Sequence, residues 1–209
     1  MNLIVGDVFS VDIAKKSFGL VYADPPYANC RFRYARKNKS RQWGINARSD
    51  YLRELIARME ELRSPDGAAA LSMASPELRL LHLFPSSARV LAWVKNWAQF
   101  RPGVWPTFAW EPLVVWGTRA NWRQHGGIKS SGRPGGVPFD WILLNPNPNR
   151  HRPHETPKPD GFGDWVLDVT IGRQAVTVCE LFAGTAPISR AAESRGCFST
   201  AVDIEDYVS

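Results

Sequence analysis

Cysteine is scarce in this chain. Three thiols, Cys30, Cys179 and Cys197, are spread over 209 residues with no Cys-x-x-Cys pair. That excludes a disulfide framework and a thiolate zinc module, and it suits a reducing compartment. Long hydrophobic runs are missing as well, and none approaches the ~20 residues of a bilayer span. The amino terminus, MNLIVGDVF, has no basic stretch leading into a long apolar one, so no secretory leader is expected. No internal repeat is visible. His151 and His154 stand as His-x-x-His, but no carboxylate or thiol joins them at ligand spacing, and no metal site is expected. Acidic residues are the minority charge, 20 against 26 Lys and Arg, giving a formal +6 that favours polyanionic partners. These absences predict a soluble cytoplasmic protein with no membrane partner.

Apolar content, 44%, is ample for a core. Short apolar runs alternate with helical periodicity. NLIV, FGLVYA, AAALSMA, RVLAWVK, PLVVWG, AVTVCEL and FSTAVDI read as strands. Residues 50–63 carry Leu52, Leu55, Ile56, Met59 and Leu62 at three- and four-residue spacing, which predicts a helix with Asp50 as its N-cap. Ser64-Pro65-Asp66-Gly67 is expected to end that helix in a turn. Ser75-Pro76 predicts the start of a second helix, with Ser75 as cap. Two further helices are expected in DGFGDWVLDVT and PISRAAESRG, and residues 118–153 read as irregular. The alternation predicts an α/β fold over residues 1–209: a single domain with a doubly wound, mostly parallel sheet, helices on both faces and a small loop-rich insertion. Such sheets bind ligands at the carboxyl ends of their strands, where both ADPPY and ELFAGTA fall.

Asp24-Pro25-Pro26-Tyr27 has a chemistry of its own. The exocyclic amine of a nucleobase is a poor nucleophile, because its lone pair is delocalised into the ring. Two acceptors placed on its two N–H bonds would pull it toward a reactive geometry. Asp24 offers a carboxylate and Pro25 a main-chain carbonyl. The two prolines fix the backbone that aims that carbonyl, and Tyr27 offers a ring to stack on the base. A base within a duplex reaches such a site only when flipped out.

CELFAGTAPISRAAESRG reads as strand, glycine turn and helix, the geometry of an adenosine-cofactor cradle. Gly184 allows close approach to the backbone, and Asp203, 19 residues on at the end of the next strand, suits ribose hydroxyls. Many strand–turn–helix units with one glycine would meet this description. A phosphate-binding loop is disfavoured by the few glycines and the missing Lys-Ser/Thr. Gly6-Asp7 could receive the adenine amino group of the same cofactor, or could simply make an Asx turn.

Together these pieces resemble the S-adenosyl-L-methionine-dependent DNA amino-methyltransferases of the β, or permuted, class. DPPY matches their catalytic motif, ELFAGTA their FxGxG cofactor motif, and the order, DPPY first, is that of the class. Gly6-Asp7 followed by Asp24 matches its opening, and HETPKP (residues 154–159) matches its HPTQKP segment. WVK and EPLVVWG resemble the motifs that line its base pocket. The resemblance implies a Rossmann-like methyltransferase sheet, S-adenosyl-L-methionine as cofactor, and methyl transfer to adenine N6 in double-stranded DNA, with Asp24, Pro25, Pro26 and Tyr27 as the catalytic group. Cofactor contacts fall on Asp7, Asp24, His154, Thr156, Lys158, Glu180, Phe182, Ala183, Gly184, Thr185 and Asp203. A bacterial or phage-infected cell is the implied setting, and a homodimer is allowed for. The sequence departs from the family at Ala186-Pro187, where the second glycine of FxGxG would stand. Cytosine N4 is an alternative target. A non-catalytic DNA-binding relative with a weakened cofactor site is another, and RNA remains a candidate substrate. Carbon-5 methylation is disfavoured, since no cysteine follows a proline as that nucleophile requires.

Two basic stretches complete the expectation. Residues 28–50 carry Arg31, Arg33, Arg36, Lys37, Lys39, Arg41 and Arg48 with Phe32, Tyr34 and Trp43 among them, and read as a DNA-contact loop or as a solvated basic loop. Residues 118–150 carry Arg119, Arg123, Lys129 and Arg133, and read as a short target-recognition insertion.

Overall fold

A computed structural model describes residues 1–27, 45–96, 106–117, 138–146, 157–172 and 174–205. Along them run β1 (Asn2–Val5), β2 (Phe18–Ala23), α1 (Ile45–Leu62), β3 (Arg63–Ser72), a 3-10 helix (Ser75–Leu83), β4 (Arg89–Val94), β5 (Trp110–Gly117), β6 (Trp141–Leu143), α2 (Phe162–Thr170), β7 (Thr177–Leu181), α3 (Pro187–Ser194) and β8 (Phe198–Asp203). The strands form one sheet in the order β1-β8-β7-β2-β3-β5-β4-β6. β5 runs antiparallel to both its neighbours, and the other pairs are parallel. This is the expected α/β sheet, and its one reversed strand matters for the site.

The core follows from strand alternation. In β2, Val21 and Ala23 face one side while Leu20 and Tyr22 face the other, and all four are buried. On the first side α1 lays down Leu52, Leu55, Ile56, Met59 and Leu62, joined by Leu80 of the 3-10 helix. On the second, α2 and α3 supply Phe162, Trp165, Val166, Ile188 and Ala192. Each of the Leu, Ile, Val, Met and Phe side chains among them contributes ~1.5–3 kcal/mol when fully buried. Gly163 lets the two helices meet, since a Cβ there would lie 2.4 Å from the Pro187 carbonyl oxygen.

Several local expectations are corrected. α1 begins at Ile45, so Asp50 lies within it and accepts a hydrogen bond from Arg53 Nη1 at 2.8 Å instead of capping. The expected turn at 64–67 belongs to β3, which starts directly after α1. Pairing with β2 shifts there from Phe18↔Arg63 to Leu20↔Ala68, a bulge that absorbs the proline. The segment after Ala74 is a 3-10 helix. Its first turn is held by Glu77, whose Oε2 accepts the Ala74 amide at 3.1 Å, while Ser75 Oγ donates to the Trp110 carbonyl. Within the stretch read as irregular, β6 adds a three-residue edge strand parallel to β4. Among the described residues, no helix is long and apolar enough to cross a membrane.

Arg48 is the clearest reassignment. Expected in a DNA-contact loop, it is buried on α1, with Nε 2.6 Å from Glu77 Oε1 and its guanidinium 5.1 Å from the Tyr51 ring centre. Because Glu77 also holds the Ala74 amide, this ion pair ties α1 to the connection that follows β3. Breaking a buried pair strands the remaining charge. Glu77→Ala is therefore expected to lower the unfolding free energy by about 3–5 kcal/mol in urea denaturation, and a loss below about 1 kcal/mol would contradict this role.

Candidate active site

β2 and β7 are parallel neighbours, in register from Leu20↔Val178 to Ala23↔Leu181. The ladder continues one step, with the Asp24 amide donating to the Leu181 carbonyl at 3.4 Å. From β7 the chain crosses to β8 on one side, and from β2 to β3 on the other. The carboxyl ends of these two strands thus flank the point where the winding reverses, which is where open α/β sheets form a ligand crevice.

On the β7 side the turn is wound tightly, with positive φ at Phe182 (57°), Gly184 (51°) and Ala186 (51°). The Gly184 amide donates to Asp203 Oδ2 at 2.8 Å, and the Asp203 carbonyl accepts the Gly6 amide at 2.8 Å. The ends of β1, β7 and β8 are thereby joined, bringing Asp7, Gly184 and Asp203 into one neighbourhood. Asp7 makes the Asx turn considered from sequence, its Oδ1 accepting the Phe9 amide at 3.0 Å. Ala183 and Thr185 are buried in the turn, and Phe182 is half-buried.

Glu180 is buried beneath this turn. Its two oxygens accept the amides of Ile188 (3.2 Å) and Ser189 (2.7 Å) at the start of α3. Burial pushes its carboxyl up to about 7; those two amides and the Ser189 side chain pull the other way, and Asp24 adds to the rise. Ala186, the departure from the glycine pattern, is also buried. Its methyl packs with Ala183 and Ala201 against Leu3, in a small apolar cluster.

On the β2 side Asp24 is at the centre of a charged group. Lys158 Nζ lies 3.0 Å from Asp24 Oδ2, and the Tyr27 hydroxyl 3.1 Å from Asp24 Oδ1. The same hydroxyl lies 3.0 Å from Glu111 Oε2, and Lys158 Nζ 3.4 Å from that oxygen. Lys95 pairs with Glu111 Oε1. Aromatic rings surround the Lys158 ammonium, with the centres of Trp93, Tyr27 and Phe162 at 5.2, 5.6 and 5.6 Å. Burial opposes the charge on Lys158, but Asp24 and Glu111 outweigh it and raise its pKa above the ordinary value. Burial likewise works against Glu111, and Lys158 and Lys95 overcome it, holding its carboxyl below the ordinary value. The Tyr27 hydroxyl is pushed well above its ordinary 10 by burial and then by Asp24 and Glu111, so it stays a donor. Pro25 is buried and Pro26 exposed.

The structure therefore brings Asp24, Tyr27 and Lys158 together at one strand end, and Gly184, Asp203 and Asp7 beside them. His154, Thr156 and His151, the basic residues Arg31, Arg33, Arg36, Lys37, Lys39 and Arg41, and Arg119, Arg123, Lys129 and Arg133 lie outside the described residues. Among the described residues, no group of three or more His, Cys, Asp or Glu could hold a metal ion. Sequence reasoning passed over Glu111, Lys95 and Trp93 as individual site residues. Glu111 immediately precedes a buried apolar run, and only the reversal of β5 carries its first residues to the same edge as the ends of β2 and β3.

Neither a protein-family model nor a curated protein matches the chain in sequence. Solved structures do match. The PvuII DNA methyltransferase, cytosine-N4-specific, superposes with a TM-score of 0.73 at 13% identity, covering 99% of this chain and 83% of that one. M1.HpyAVI, solved as its SAM complex, gives 0.62 at 15% identity over 98% and 94%. TTHA0409 of Thermus thermophilus, complexed with S-adenosyl-L-methionine, gives 0.60 at 18% identity over 99% and 89%. The chain has the Rossmann-like α/β fold of these methyltransferases.

Two expectations follow from the turn. A Glu180 carboxyl titrating near 7 against an ordinary 4.5 keeps its proton longer in the folded state. It costs no stability below about 4.5, and the cost grows as pH rises from there to about 7. Glu180→Gln should flatten that part of the stability–pH curve in unfolding measured at stepped pH, and parallel curves would contradict the shift. In Ala186→Gly, relief of left-handed strain (~1–2 kcal/mol) opposes a lost buried methyl (~0.8 kcal/mol) and added unfolded-chain entropy (~0.4–1 kcal/mol). The unfolding free energy should move by less than about 1 kcal/mol, whereas a change of several kcal/mol in either direction would contradict this balance.

Proposed function

We propose that the protein transfers a methyl group from S-adenosyl-L-methionine to the exocyclic amino group of a flipped base in DNA, adenine N6 being the first assignment. The observation that carries this reading is the placing of Asp24 and Pro25 directly beside the Leu181–Gly184 turn, at the point where the sheet reverses its winding. The residues suit such a cofactor. Asp203 is already oriented by the Gly184 amide, and its carboxylate has further lone pairs for ribose hydroxyls. Asp7 stands at the neighbouring strand end for the adenine amine. The cofactor, when bound, supplies an electrophilic methyl group on a sulfonium.

The chain's own part is to hold and orient. Asp24 and the Pro25 carbonyl accept the two N–H bonds of the base amine, drawing its lone pair out of the ring. Tyr27 offers its ring to the base. Positioning and electrostatic complementarity supply the rate, with no covalent enzyme intermediate. Arg31, Arg33, Arg36, Lys37, Lys39 and Arg41 of the 28–50 stretch are assigned to the phosphate backbone, which makes binding steeply salt-dependent, and Arg119, Arg123, Lys129 and Arg133 of the 118–150 stretch to a short target-recognition region.

Cytosine N4 is the second reading. It is favoured by the likeness to the cytosine-N4-specific PvuII enzyme, and the same pair of acceptors serves either amine. Duplex DNA incubated with labelled S-adenosyl-L-methionine and then sequenced at base resolution decides between them: N6-methyladenine is expected, and N4-methylcytosine would replace the first assignment. Asp24→Ala should lower transfer by about 10²–10³-fold while affinity for S-adenosylhomocysteine, which carries no charge at sulfur, stays within a few-fold of the parent. A variant that methylates at near-parental rate would refute the role given to Asp24.

A further inference from the structure

Lys158 stands where methyl transfer needs room for a different cation. Asp24 is the acceptor for an amine that gains positive charge as it reacts, next to a cationic donor. Yet both Asp24 oxygens are engaged, Oδ1 by the Tyr27 hydroxyl and Oδ2 by Lys158. An ammonium 3.0 Å from that oxygen opposes any further positive charge beside it.

The same geometry contains the exit. Lys158 Nζ is 3.4 Å from Glu111 Oε2, so it can pass from one carboxylate to the other without leaving its surround of Trp93, Tyr27 and Phe162. Tyr27 has one phenolic proton and two carboxylates within reach, at 3.1 and 3.0 Å, so it faces the same choice. Glu111 is itself held by Lys95. Two carboxylates and two ammonium groups balance to zero, and that balance is upset when a cation enters beside Asp24.

We propose that Lys158 and Tyr27 form a two-position latch: in the empty site Lys158 rests nearer Asp24 than Glu111 and the Tyr27 hydroxyl is shared between the two carboxylates, and both turn to Glu111 alone when the cationic donor and the base amine claim Asp24. Glu111 is then a positioning residue, whose task is to draw a competing cation off the acceptor. This inference rests on the methyl-transfer reading. It differs from a structural salt bridge in requiring the two residues to oppose each other: Lys158 blocks, and Glu111 unblocks.

Calorimetric titration separates the two ideas, using S-adenosylmethionine, positive at sulfur, and S-adenosylhomocysteine, neutral there. The parent, Lys158→Met, Glu111→Gln and the double variant are compared. Lys158→Met should raise affinity for the charged ligand relative to the neutral one by about tenfold, the scale of one like-charge contact at ~6 Å in a medium between protein and water. Glu111→Gln should lower that ratio by a similar factor, because Lys158 then has only Asp24 to rest on. The double variant should behave as Lys158→Met does. In turnover, Glu111→Gln should reduce kcat by about tenfold or more, and adding Lys158→Met should restore most of it. Should Lys158→Met fail to fold, Lys158→Gln carries the same expectation. A ligand ratio unchanged across the variants, or a double variant worse than either single one, overturns the latch while leaving the function reading intact. A parent that binds neither ligand overturns the function reading, and the latch with it.

Discussion

The pairing of β2 with β7 is the constraint on which the site depends. These strands are far apart in sequence, with most of the chain between them, and only the sheet order makes them neighbours. Once they pair in parallel, both end at the same edge, and the Asp24 amide extends the ladder onto the Leu181 carbonyl. The acidic end of one strand and the glycine turn of the other then share a crevice. A one-residue slip in this register would turn Tyr22 and Leu20 toward α1, and Val21 and Ala23 toward α2 and α3. The two apolar faces that bury those residues therefore also hold Asp24 and the Gly184 turn in alignment.

Around Asp24 the chain assembles more charge than a binding crevice strictly needs. A buried ammonium is tolerated only where nearby anions repay its lost hydration, and Lys158 has two carboxylates and three aromatic faces. These partners come from four parts of the fold: the end of β2, β4, the start of β5 and the first turn of α2. Such a cluster ties the end of β2 to β5 and β4, and under the proposed function it would set which cations the site accepts. Glu180 represents the opposite solution, a buried carboxylate whose amide partners do not fully offset burial and whose titration therefore moves toward neutrality.

Much of this was legible in the sequence, for reasons that particular residues make plain. The strands flanking the crevice are short apolar runs with turn formers behind them, and their motifs name the edge on which chemistry sits. The periodicity of Leu52, Leu55, Ile56, Met59 and Leu62 locates the helix that covers β2 and β3. What stayed hidden was set by tertiary contact. Arg48 shares its neighbourhood in sequence with other cations, and only its ion pair with Glu77 marks it as core. Glu111 opens a segment that resembles a pocket-lining motif, but nothing in the sequence singles out its carboxylate, and the reversal of β5 is needed to deliver it. Ser64-Pro65 reads as a turn, yet pairing with β2 beyond a bulge draws it into a strand. Three residues of β6 are too few to show any period.

The central claim is spatial: a sulfonium donor seated against the Gly184 turn, with its ribose toward Asp203, presents its methyl group to the space in front of Asp24. A crystal of the protein grown with S-adenosyl-L-methionine measures this directly. The account predicts the adenosine end against Asp203 and Asp7, with the sulfur within about 8 Å of the Asp24 carboxylate, one hydrogen bond and one near-attack distance away. A donor bound at another edge of the sheet, or with its sulfur turned away from Tyr27 and Asp24, would contradict it.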